Sequence, residues 1–314
     1  IYGFGYYNYG TIKNLKFNSD KIESLDSQFY GLVYQNQSGA TTEKVDITLN
    51  DIKAQTVFGL TGYLNTNSIL TDVELNINNV ISQIYYTFFH IYGQLQNIKI
   101  NIGNVYSDGI YYISSSARET SINNMTVYFN KLHINEYSSY TYYIYGISNP
   151  WNSTRISNLA VYGNIYMPMP NGEDHNGEAY KNNAPLFNFD DTTSSYHSNY
   201  QNIASSIRVQ QYENYDKNTD SYTGLMPYEG ALCFDRLTTI NHTVENFYYM
   251  RRDGLQNPAF NTNNGSGIFT PFTKEEINDV IMSLNTWTGT DIWETKDVVE
   301  NGETIQIPWL KATP

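Results

Sequence analysis

Hydrophobic positions in this chain fall into short alternating runs, and one run keeps returning. Gly10-Thr11-Ile12-Lys13-Asn14-Leu15-Lys16-Phe17 comes back as Gly93-Gln94-Leu95-Gln96-Asn97-Ile98-Lys99-Ile100. Further copies are Ile122-Asn123-Asn124-Met125-Thr126-Val127, Ile156-Ser157-Asn158-Leu159-Ala160-Val161 and Val244-Glu245-Asn246-Phe247-Tyr248-Tyr249. Weaker ones are Leu70-Thr71-Asp72-Val73-Glu74-Leu75, with Asp in place of Asn, and Lys44-Val45-Asp46-Ile47. After the Asn the period is two, so Leu15 and Phe17, or Ile98 and Ile100, share one face of a strand and the Lys between them takes the other. Ile12 and Leu15 are an odd number of residues apart, so both can face inward only if the chain bends near Asn14. Asn tolerates the left-handed backbone of such a bend, and stacked copies could also bond one another's amides. Either way Asn14, Asn97, Asn124, Asn158 and Asn246 have a structural part.

A second element precedes most copies: Tyr2-Gly3-Phe4-Gly5, Tyr30-Gly31-Leu32-Val33-Tyr34, Phe58-Gly59-Leu60, Tyr85-Tyr86-Thr87-Phe88-Phe89, Gly109-Ile110-Tyr111-Tyr112-Ile113 and Tyr145-Gly146-Ile147. Successive copies lie roughly 25 to 34 residues apart, the range of a solenoid repeat with variable loops. One such coil cannot bury its apolar face alone, whereas coils stacked at about 4.8 Å pair every strand and build a continuous core. The pattern therefore predicts an all-β fold, a right-handed parallel β-solenoid (β-helix).

Composition agrees with this and narrows the partners. Of 314 residues, 30 are Tyr against 4 Trp and 14 Phe, and Asn, Ile, Ser and Thr are abundant, a mixture that favours strands broken by tight turns. A net charge of -13 without any basic run argues against nucleic acid and against an anionic membrane surface. No apolar run approaches the roughly 18 residues that span a bilayer, so no membrane span is expected in this segment. The single cysteine, Cys233, excludes an internal disulfide and is expected to be a small buried hydrophobe. Opening at Ile1, mid-repeat and without a charged-then-apolar leader, the chain reads as a fragment or processed product.

The two recurring elements resemble the GLUG-motif repeats of bacterial surface proteins, in which a Gly-Leu-Phe-Gly-like strand precedes a Gly-x-Ile-x-Asn-Leu strand. The resemblance covers residues 1–165 and returns over 230–250. The ends of such arrays also look like Lys274 to Leu284, Trp293, Asn301-Gly302 and Pro308-Trp309-Leu310-Lys311 here. It implies an extracellular or cell-surface location and a non-enzymatic role.

Two regions depart from the repeat. Thr273-Lys274-Glu275-Glu276 is a capping box, followed by Ile277, Val280, Ile281 and Leu284 at helical spacing, which predicts a helix over 273–284 capping the last coil. Asn301-Gly302 predicts a hairpin turn between Val298-Val299 and Ile305-Gln306-Ile307. Residues 166–228 form a long polar excursion, expected as one or two coils with large loops, including Ile207-Arg208-Val209, and a functional patch is more expected there than on regular coils. The resulting organisation is regular coils over 1–165, decorated coils over 166–228, final coils over 229–270 and a C-terminal cap over 271–314.

Little of the chain resembles catalytic machinery. Asp216, Asn218 and Asp220 alternate like oxygen ligands of a calcium loop, but Ser221 stands where such a loop has Gly, and the final acid is displaced to Glu229. Calcium is the one cofactor with any support. Asp190-Asp191 could pair as the acid and base of an inverting polysaccharide hydrolase, without visible partner residues on neighbouring repeats. His90, His133, His175, His197 and His242 sit at unrelated repeat positions, expected on surfaces or loops. Sequons at Asn36, Asn124, Asn152, Asn241 and Asn264 do not exceed chance for this composition. Tyrosines can fill the solenoid or line a row that stacks on sugars or a partner.

The expected function is a non-catalytic extracellular surface module, an elongated adhesive stalk or spacer meeting a glycan or protein ligand. Two alternatives stand beside it: a filament or sheath subunit that pairs with copies of itself through solenoid ends, and a β-helix polysaccharide hydrolase or lyase.

Overall fold

The computed structural model describes residues 1–135, 143–147, 150–151, 153–169, 186–189, 198–227, 233–235, 242–252, 269–300 and 302–311. Their main feature is one 16-stranded sheet wound into parallel coils. Leu15, Val45, Val73, Ile98, Met125, Leu159, Ile203, Phe247 and Phe269 stand in one register file, each paired with the next coil. These files bury an unbroken apolar interior, with Ile47, Leu75, Ile100 and Val127 fully enclosed.

Inward files need the bend, and the backbone supplies it at every copy. Asn14, Lys44, Asp72, Asn97, Asn124, Asn158, Asn202 and Asn246 all adopt left-handed φ between 54° and 58°. This reverses the side-chain alternation, so Ile122 and Met125 can both turn inward despite their odd spacing. Lys44 thus makes its segment a full copy. Asn202, in Tyr200-Gln201-Asn202-Ile203-Ala204-Ser205, adds a coil inside the polar excursion, carried by the strand Ser198–Tyr212. The spacing between equivalent residues is 25, 27, 34, 44 and 44 along this file; the first three lie in the expected range and the last two exceed it because the later coils carry longer connections.

The bends are joined by a directional amide ladder. Nδ2 of Asn97 donates to Oδ1 of Asp72 (2.8 Å), Asn124 to Asn97 (3.0 Å), Asn158 to Asn124 (2.9 Å), Asn202 to Asn158 (2.7 Å) and Asn246 to Asn202 (2.6 Å). Every donor points to the preceding coil. Asp72, the first member, only accepts, which is why a carboxylate serves there. Other ladders repeat the rule: Asn50 and then Asn78 rise from Asp20, Asn79, Asn104 and Asn130 rise from Asp51, and Asn135 rises from Asp108.

The aromatic-Gly elements stack on the opposite side of the coil. Tyr2, Tyr30, Phe58, Tyr86 and Tyr111 form a continuous pile, with centroids 4.4 to 5.3 Å apart and near-parallel rings. The glycine after the aromatic residue has a steric cause. A Cβ on Gly31 would lie 1.9 Å from the Gly59 carbonyl oxygen, and one on Gly3 would lie 2.1 Å from that of Gly31.

The C-terminal elements are a 3-10 turn, Lys274–Glu276, the helix Ile277–Thr288, and an antiparallel hairpin of Trp293–Glu300 with Glu303–Leu310. The Glu276 carboxylate accepts the Thr273 backbone N–H at 2.8 Å, and Gly289 ends the helix in a left-handed conformation. These elements lie against the outer face of the late coils. Ala160, Tyr162 and Ala204 alternate with inward Leu159, Val161 and Ile203, and they pack with Ile277, Leu284, Trp293 and Leu310 in a second core. In earlier coils the same outward file carries the pairs Lys16–Asp46 and Lys99–Glu74, so docking begins where charge gives way to alanine.

Candidate binding surface

The solenoid lines up side chains of equivalent position, so a row of aromatic residues becomes a flat ribbon. Beside the buried pile lies such a row. Tyr6 stacks on Tyr34 at 4.8 Å, Tyr34 meets Tyr63 edge-on at 5.4 Å, and Tyr63 stacks on His90 at 5.2 Å, with Tyr92 beyond at 5.8 Å. Tyr6 and Tyr7 are exposed, Tyr9 is 74% exposed, and Tyr34, Tyr63 and His90 are half-buried. Gly62 leaves room for the packed rings, since a Cβ there would crowd both Tyr30 and Tyr34. Burial, with Arg118 adding to it, lowers His90 to about 4, so its imidazole stacks as a neutral ring at physiological pH. Because these rings stack on one another, the file offers mainly ring edges and hydroxyls, which suit hydrogen bonds and edge contacts with a sugar chain or an amphipathic partner.

A second aromatic group closes over a lysine. Asn214–Asp216 and Ser221–Thr223 form an antiparallel hairpin within the polar excursion and fold back onto earlier coils. Lys131 Nζ lies 4.6 to 5.6 Å from the ring centroids of Tyr106, Tyr166, Tyr215 and Tyr222 and forms an ion pair with Asp220. Tyr106 and Tyr215 hydroxyls also donate to Asp220, at 3.1 and 2.8 Å. Burial alone would raise Asp220, but the bond from Lys131 and those from the tyrosines bring it below the usual carboxylate range. His133 is not on the surface as its sequence position suggests. It is 1% exposed, stacked on Tyr212 and bonded through Nδ1 to the Tyr222 hydroxyl at 2.9 Å. Burial first, then Lys131, lowers it to about 3.

The calcium-loop residues do not converge. Asp216 accepts the Asn218 N–H and the Thr219 hydroxyl, both at 2.9 Å, while Asp220 faces Lys131. Among the described residues no three His, Cys, Asp or Glu side chains group as metal ligands. Asp190 and Asp191 lie outside the described residues, as do His175 and His197 and the side chains of Cys233 and His242. Among the described residues no helix is long and apolar enough to cross a membrane.

Sequence reasoning missed the cage; it expected a coil through Ile207-Arg208-Val209, which the strand Ser198–Tyr212 forms, without locating its bend at Asn202. Lys131 and Asp220 are 89 residues apart, a separation no local pattern bridges. A signal for Asn202 was present in Tyr-Gln-Asn-Ile-Ala-Ser, whose small residues obscured the apolar alternation. None of the family models, curated proteins or solved structures compared with this chain matches it.

Proposed function

We propose that this chain is a non-catalytic extracellular surface module, an elongated solenoid that holds its tyrosine ribbon against a glycan. The ribbon of Tyr6, Tyr34, Tyr63, His90 and Tyr92 carries this reading, because ring edges and hydroxyls repeated from coil to coil can contact an extended chain ligand at several points. The likeness of the repeat to GLUG-motif surface proteins supports the location, and the interlocked ladders suit a rigid spacer. A glycan array probed with the purified chain tests it. Binding should be lost in a Tyr6→Ser, Tyr63→Ser, Tyr92→Ser variant, and absence of any glycan ligand would leave only the spacer role.

A second reading is assembly with copies of itself by pairing of open solenoid strand edges. Electron microscopy at high protein concentration decides it: dispersed monomers contradict assembly.

A further inference from the structure

Three of the chain's six arginines, Arg208, Arg251 and Arg252, line one cavity of about 350 Å³ between the last coils and the C-terminal hairpin. Gathering cations is unusual in a chain of net charge -13. Arg252 is held from below. The pairing of Ser198–Tyr212 with His242–Met250 ends at Ser205 and Tyr249, and beyond it the Arg252 side chain takes up the Ser206 carbonyl. The Arg252 guanidinium donates to the Ser206 carbonyl at 2.9 Å and lies 5.0 Å from the Tyr162 ring centroid. Both Arg252 and Arg208 pair with Glu300 at the end of the hairpin strand. One carboxylate thus serves two guanidinium groups, and Arg208 Nε is buried without a partner. Exposed Arg251 and Lys274 and the residue Thr273 complete the lining, with Glu275 and Glu303 the remaining acids.

From this geometry we infer that the cavity is a binding site for a small oxyanion, a phosphate or the carboxylate of an acidic sugar, received by Arg208 and Arg251. Glu300 already demonstrates that Arg208, together with Arg252, accepts a planar carboxylate. The fork of a guanidinium retains donors after one such bond, and a second anion offsets the surplus positive charge of the lining. The site is separate from the tyrosine ribbon and does not rest on the glycan reading.

Isothermal titration calorimetry of the whole chain at low salt, with inorganic phosphate and separately with glucuronate, tests it. Saturable one-to-one binding of either probe is expected, weakened about tenfold or more in Arg251→Gln and in Arg208→Gln and unchanged in Tyr63→Ser. Phosphate alone or glucuronate alone identifies the source of the anion. No saturable binding of either probe, or binding undiminished in Arg251→Gln, overturns the assignment. Arg251 is exposed, so that variant keeps its fold even where Arg208→Gln does not.

Discussion

The amide ladder predicts that the same chemical exchange has opposite consequences at two of its positions. Asp72 only accepts, from Asn97, so Asp72→Asn keeps its one bond and its left-handed backbone and should change stability by less than about 0.5 kcal/mol. Asn158 sits mid-ladder, donating to Asn124 at 2.9 Å and Asn123 at 3.1 Å while accepting from Asn202. In Asn158→Asp both donated bonds disappear, at about 1 kcal/mol each, and a partly buried carboxylate faces the Asn124 carbonyl oxygen. A stronger charged acceptor for Asn202 returns about 1 kcal/mol, and repulsion and desolvation remove at least as much, leaving a net loss of about 2 kcal/mol at pH 7. Protonating the new carboxyl supplies an O–H donor, so the deficit relative to the unmodified chain should shrink near pH 4. Urea unfolding followed by circular dichroism measures both variants under both conditions. Equal losses in Asp72→Asn and Asn158→Asp would refute the directional ladder.

Three further expectations follow from burial and close approach. His133 has a folded pKa of about 3 against about 6.5 unfolded, so only the unfolded chain takes up its proton between these values. Stability is therefore fully present above pH 6.5 and falls by about 1.4 kcal/mol per pH unit below it, and His133→Gln should flatten that slope in urea midpoints compared at pH 7.5 and 5. Gly31→Ala pushes a Cβ into the Gly59 carbonyl and should cost about 3 kcal/mol in the same assay, whereas Gly5→Ala, which meets nothing within 4 Å, serves as a near-neutral control. Ala204→Glu should release the helix and hairpin from the coil wall, seen as faster tryptic cleavage at Lys296 with the strand circular dichroism retained; unchanged cleavage would contradict the lateral packing.

How much of this was legible depended on the range of the interaction. Alternation around Asn97 or Asn158 fixes which residues face inward, and one odd spacing reveals the bend, because both are local properties of a strand. Lys44 obscured its copy because the bend demands a backbone conformation rather than an amide, and a lysine can adopt it where no ladder bond is needed. The lateral docking was written in Ala160 and Ala204 at outward positions, yet an alanine in a strand does not announce what covers it. The Lys131 cage and the Arg208–Glu300–Arg252 cluster depend on residues far apart in the chain, 89 positions for Lys131 and Asp220 and 92 for Arg208 and Glu300, and only the folded arrangement brings them together.

The direction of the ladders also orders events in time. Along the ladders that rise from Asp20, Asp51, Asp72 and Asp108 each amide donates to a coil already made, so a new turn finds these acceptors waiting as the chain lengthens, whereas the Asn8 and Gln201 amides donate forward to Asn36 and Glu245. The solenoid can then zip up vectorially during synthesis or export, each completed turn serving as the template for its successor. A nested set of C-terminal truncations ending after successive coils would display this as stepwise gain of protease resistance, while N-terminal deletions of equal length would remove the template and lose it.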